Sequence, residues 1–158
     1  MDFGLISSMR AASDYDNILL FYAHGYDRGQ GVTIVNKGNY HQRVSPEDMK
    51  SYLLDNSSVI RENNTKGKGS VIVLNSCQTG SNESSMGGKL SEIMKGSLVI
   101  APNANVDANG NAVSGAGKWN IFVNGKLVDS FDATQEKYAE MLKQINEDPS
   151  KFIEQYEK

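Results

Sequence analysis

Residues 70–80 read S-V-I-V-L-N-S-C-Q-T-G. Four apolar, mostly β-branched side chains follow one another without alternation and stop at Asn75. A strand that faces solvent on one side alternates apolar and polar, so an unbroken run of this length predicts a strand covered on both faces, as in a parallel sheet. Residues 18–23, I-L-L-F-Y-A, repeat the pattern and end in His24-Gly25. Leu98–Ala101 repeats it again and closes at Pro102. Between the second and third runs, Met86, Leu90, Ile93 and Met94 share one face of a helix expected over about residues 85–95, with Gly96 as its stop. The order strand–helix–strand implies an α/β domain with a mostly parallel central sheet.

The rest of the chain decorates that frame. Val32–Val35 and Tyr40–Val44 flank the turn-rich N-K-G-N of residues 36–39 and read as a β-hairpin, after a polar loop from Tyr26 to Gln30. Ser45-Pro46-Glu47-Asp48 has the cap, the first-turn proline and the acidic residues of a helix start. Residues 56–69, rich in Asn, Lys and Gly, show no periodicity and read as a mobile surface loop. Residues 103–117 are small and polar and read as a long loop. Lys118–Val123 and Lys126–Phe131 flank Asn124-Gly125, the strongest short-range signal for a type I′ hairpin. Asp132 and Gln135 suggest a capping box for a helix carrying Tyr138, Met141, Leu142 and Ile145. Asp148-Pro149 opens a last short helix with Phe152, Ile153 and Tyr156. Nothing in the pattern divides residues 1–158, which read as one domain.

Composition bounds the function. The chain has 158 residues, a net charge of −3, 39% hydrophobic and 22% charged residues. That balance offers no bulk electrostatic reason to bind nucleic acid or an anionic membrane. No stretch approaches the ~20 apolar residues of a membrane span, and the opening M-D-F-G-L-I-S-S-M-R-A-A lacks the pattern of a Sec signal. The chain is expected to be made in the cytoplasm, with a specialised secretion route left open. A single cysteine, Cys77, excludes an internal disulfide and a thiolate zinc cage. No metal cluster, phosphate loop or dinucleotide fingerprint is present, so neither metal nor cofactor is expected.

In open α/β sheets, ligands gather beyond the carboxyl ends of the strands. His24 and Cys77 both fall there, each directly after a buried run. A free thiol is only a few per cent thiolate at neutral pH, and a neighbouring imidazole can take its proton and later return one to a leaving group. The backbone N–H groups of Gly25 and Cys77 could bind a developing oxyanion. Residue type alone favours a packing role for Cys77. The joint placement of the two residues shifts that balance. His41 reads as an exposed strand residue and Trp119 as core. Asp27 reads as a solvated loop acid, and Asp14 and Asp16 would lie at the far end of the first strand. Gly87-Gly88 suggests close packing of its helix on the sheet.

The segments I-L-L-F-Y-A-H-G (18–25) and V-I-V-L-N-S-C-Q-T-G (71–80) resemble the two motifs of clan CD cysteine peptidases, the caspase-like group that includes caspases, metacaspases, legumains, gingipains, separases and CHAT domains. The closest likeness is to CHAT and metacaspase versions, and it extends over roughly residues 15–102. His24 precedes Cys77 by about 50 residues, as in caspases. The resemblance implies a caspase-like three-layer sandwich, a catalytic dyad of His24 and Cys77, an oxyanion hole from the Gly25 and Cys77 amides, and a protein or peptide substrate. It implies that Asn75, two before the cysteine, lines the pocket for the side chain preceding the scissile bond. Asn75 is neutral, so it gives no support to a basic preference there. The V-I-A-P strand, the Gly-rich loop and the G-K-W…N-G-K hairpin are similar to caspase-like domains of bacterial Rhs-type and other polymorphic secreted proteins, which implies an effector or toxin module. Two alternatives compete: a non-catalytic caspase-like binding or scaffold module, and an α/β-hydrolase-like esterase. The esterase would need G-x-S-x-G and a histidine near the chain end, and neither occurs here.

Overall fold

A computed structural model describes residues 18–22, 24–26, 31–35 and 41–156, with side chains from residue 44 to 156 apart from Asn56. The three apolar runs pair in one sheet. Strands β1 (Ile18–Tyr22), β5 (Val71–Asn75) and β6 (Leu98–Pro102) lie side by side and parallel. Strands β7 (Lys118–Val123) and β8 (Lys126–Asp132) continue the same sheet antiparallel, in the order β1-β5-β6-β7-β8. A second sheet, antiparallel throughout, consists of β2 (His24–Tyr26), β3 (Gly31–Val35) and β4 (His41–Val44). The expected hairpin is therefore present, and Tyr26, read as loop, closes a third strand that pairs with it. Residues 27–30, with Asp27, and residues 1–17, with Asp14 and Asp16, lie outside the described residues.

The fold is mixed α/β. The expectation of a mostly parallel sheet needs correction: parallel pairing stops at β6, and the other ladders among the described residues are antiparallel. The reason is local. Asn124 and Gly125 both take positive φ, 51° and 82°, the geometry of a two-residue type I′ turn. Such a turn returns the chain beside itself, so β7 and β8 can only pair antiparallel.

Alternation along the central strands divides their side chains between two cores. Ile72, Leu74, Val99, Ala101 and Phe122 face α1 (Pro46–Asn56), α2 (Ser58–Thr65) and α3 (Met86–Ile93) through Met49, Leu53, Ile60, Met86 and Leu90. Val71, Val73, Leu98, Ile100, Trp119 and Ile121 face α4 (Gln135–Glu147) and α5 (Pro149–Glu154) through Tyr138, Met141, Leu142, Ile145 and Phe152. Helices on both faces explain why β5 and β6 are apolar at consecutive positions. Full burial of each such aliphatic side chain contributes about 1.5–3 kcal/mol relative to exposure. Gly87 sits where α3 meets the sheet: a Cβ there would lie 2.9 Å from the Ala101 Cβ and 3.0 Å from the Thr79 carbonyl oxygen. The close packing on the sheet expected of the glycine pair is present at Gly87, whereas Gly88 lies against the Glu83 backbone.

Two local expectations are overturned. Residues 58–65, read as loop, are helix α2. Ser57 makes this possible by serving both helices: its N–H donates to the Leu53 carbonyl that ends α1, and its Oγ accepts from the Ile60 N–H at 3.2 Å. Ile60 alone anchors the helix in the core, too sparse a signal to read as periodicity. The capping box proposed for α4 is also absent. Asp132 is the last residue of β8, and Thr134 caps the helix by accepting from the Lys137 N–H at 3.2 Å. Asp132 pairs instead with Lys118 at 2.6 Å, and that hydrogen bond holds its carboxyl below the usual range. Both partners are exposed, so the pair adds little stability.

Candidate functional site

The site begins with strand register. β1 and β5 run parallel with Tyr22 opposite Asn75. His24 and Cys77 each stand two residues beyond that matched pair, at the carboxyl ends of neighbouring strands, which lie ~4.8 Å apart in a sheet. His24 opens β2, paired with Thr33, and Gly25 lies opposite Val32. The side chains of His24 and of His41, which opens β4 opposite Val35, lie outside the described residues.

Cys77 is half-buried. Its Sγ lies 3.8 Å from the Val106 carbonyl oxygen and can donate to it. The next residue, Gln78, takes φ 62° without being glycine. That conformation costs roughly 1–2 kcal/mol and turns the chain sharply out of the sheet. Bonds to the segment that follows β6 stabilise it. The Gln78 N–H donates to the Ala104 carbonyl at 3.1 Å, and its side-chain amide donates to Asn105 Oδ1 at 3.2 Å. The Thr79 hydroxyl donates to the Ser76 carbonyl at 2.7 Å, and the Gly80 N–H to that of Pro102 at 2.8 Å. Ahead of Cys77, Ser76 is buried, and its hydroxyl oxygen has no hydrogen-bond partner among the described residues. The amino end of α3 reaches this turn at Thr79, whose carbonyl accepts from the Gly87 N–H at 2.7 Å.

Asn75 is buried beside the thiol. Its amide nitrogen lies 3.4 Å from each of three oxygens: the Asp107 and Ala108 carbonyls and the Tyr138 hydroxyl. Residues 103–117, read as a long loop, form an ordered wall. Val106 bridges Ala112 in an antiparallel pair, and the Asp107 carboxylate accepts from the N–H groups of Asn109 and Asn111. Gly110, at φ 83°, lies against the Tyr138 ring. Trp119, in the core as expected, donates its indole N–H to the Gly110 carbonyl at 2.9 Å and packs 4.7 Å from Tyr138. Sequence reasoning missed Gln78 and residues 104–108 as parts of this site. The Asn109-Gly110 dipeptide was the available signal, since it marks a tight turn.

Among the described residues, no group of three or more His, Cys, Asp or Glu is placed to hold a metal ion, and no helix is long and apolar enough to cross a membrane. Fold and site together define a mixed α/β domain with a half-buried thiol at the carboxyl rim of its parallel strands. Residues 4–121 match the family model described as a domain of unknown function, DUF8616, and the chain belongs to that family. No curated protein and no solved structure matches the chain.

Proposed function

We propose that this chain is a cysteine endopeptidase of the caspase-like kind, built as a caspase-like sandwich, with Cys77 as nucleophile and His24 as general base. One observation supports it most: Tyr22 and Asn75 are matched across β1 and β5, so His24 and Cys77 leave adjacent parallel strands at the same level. In this reading the His24 imidazole takes the Cys77 proton, and the sulfur attacks the carbonyl carbon of the scissile peptide. The Gly25 and Cys77 N–H groups bind the oxyanion. The imidazolium then protonates the departing amine, leaving a thioester on Cys77. Water, deprotonated by His24, hydrolyses the thioester and regenerates the thiol. The substrate is a protein or peptide, and the setting is that of a bacterial effector or toxin module.

Peptide-library profiling of the wild type against Cys77→Ala and His24→Ala tests this. The wild type should cleave, Cys77→Ala should not, and His24→Ala should lose about 10²–10⁴-fold in rate. Cleavage by Cys77→Ala at the wild-type rate rejects the proposal. Slow labelling of Cys77 by iodoacetamide, equal with and without His24, would favour the scaffold reading.

A further inference from the structure

We propose that Asn75 is a positioning residue that acts on Cys77 through residues 104–108, and that it is not a substrate contact. The inference rests on Cys77 being the nucleophile, and it departs from the pocket role that the resemblance implies for Asn75.

Asn75 ends β5 and Cys77 stands in the turn that follows, and both side chains meet the same neighbour. That neighbour is one continuous stretch running antiparallel to the strand end. Ala104 and Asn105 bond to Gln78, the Val106 carbonyl faces the Cys77 sulfur, and the Asp107 and Ala108 carbonyls face the Asn75 amide. A carboxamide nitrogen has two protons to donate. Three acceptors already surround this one, the third being the Tyr138 hydroxyl. Asn75 therefore has no donor left over for a substrate, and it is buried, at 7% exposure. What its amide does is draw the Asp107–Ala108 backbone against the strand. That fixes the preceding carbonyl, Val106, at the sulfur. The far side of the stretch is anchored by Trp119 through Gly110, so the Asn75 bonds close a clamp whose other jaw is rigid.

The test uses Asn75→Leu, similar in size and without a donor, and Asn75→Ala, which removes the same donor with less bulk; both lose the bonds to the Asp107 and Ala108 carbonyls. Both are checked for folding by thermal melting, and Asn75→Ala decides alone if Asn75→Leu does not fold. With the clamp loosened, the second-order rate of Cys77 alkylation by iodoacetamide should rise about two- to tenfold, the equivalent of one net hydrogen bond. On a cleaved library peptide, kcat should fall by a similar factor with KM and sequence preference unchanged. An alkylation rate equal to wild type in a folded variant overturns the proposal. So does a raised KM or a changed preference at the residue before the scissile bond, the signature of a substrate contact. If the wild type cleaves no peptide, the peptidase reading fails while the alkylation rates still decide whether Asn75 governs the thiol.

Discussion

The Asn75 amide and the Cys77 thiol, two residues apart at the end of one strand, touch consecutive carbonyls of the same distant segment: Asp107 at 3.4 Å and Val106 at 3.8 Å. The wall that provides those carbonyls is a tight turn, and its geometry makes it sensitive to single atoms.

Gly110 is the most exposed to such a change. Its φ of 83° disfavours any side chain, and an added Cβ would lie 2.2 Å from Cγ of Tyr138. Gly110→Ala should destabilise the protein by about 2–5 kcal/mol, combining the left-handed backbone cost with overpacking. Urea denaturation would measure it, and a loss below 1 kcal/mol would mean that the turn does not rest on the ring as described.

The β7–β8 hairpin depends on its turn in a milder way. Gly125 takes φ 82°, and a Cβ there would lie 3.2 Å from the Glu92 Cβ, close enough that the two must part by a few tenths of an ångström. Gly125→Ala should therefore cost about 1–2 kcal/mol, mostly from backbone strain. Denaturation midpoints of the two glycine variants, compared side by side, should rank Gly110→Ala as the more severe.

β8 is an edge strand with Leu127 and Val128 exposed. Unpaired edges invite pairing with other chains. Here Glu83 accepts from the Leu127 N–H at 2.7 Å, and Asp129 accepts from the Ser130 N–H at 2.8 Å. Glu83→Ala should leave the monomer folded and promote concentration-dependent association, read by light scattering on a dilution series. An unchanged mass at every concentration would show that Glu83 does not protect the edge.

Tyr156 ties α5 to the sheet by donating to Asp129 Oδ2 at 2.8 Å. Burial, then that hydrogen bond and the carboxylate's charge, push its phenol well above the ordinary 10.0. A group with a raised folded-state value holds its proton more tightly folded than unfolded, so its stabilisation is complete below pH 10.0 and is lost as pH rises beyond it. Melting temperatures of the wild type should therefore fall more steeply above pH 10.0 than those of Tyr156→Phe. Parallel curves would refute the linkage.

Much of this frame was legible in the chain. β5, β6 and the β7–β8 hairpin follow from doubly buried runs and an Asn-Gly turn, and α1 from Ser45-Pro46, because the forces that make them act over a few residues. Ser45 Oγ does accept from the Asp48 N–H, at 3.1 Å. α2 escaped notice because Ile60 is its single fully buried apolar residue among many polar ones. The expected capping box does not form because Asp132 is held elsewhere, in a strand ladder.

The amino-acid order alone determined that two apolar runs are followed by His24-Gly25 and by Ser76-Cys77, since side-chain patterning and chain stops are local properties. Only the tertiary structure decided that those strands are neighbours with Tyr22 opposite Asn75, and that residues 104–108 return to lie along 75–78. Contacts between segments some thirty residues apart are selected by how whole layers pack, with Trp119 and Tyr138 holding the returning turn in place. No spacing within either segment encodes that outcome.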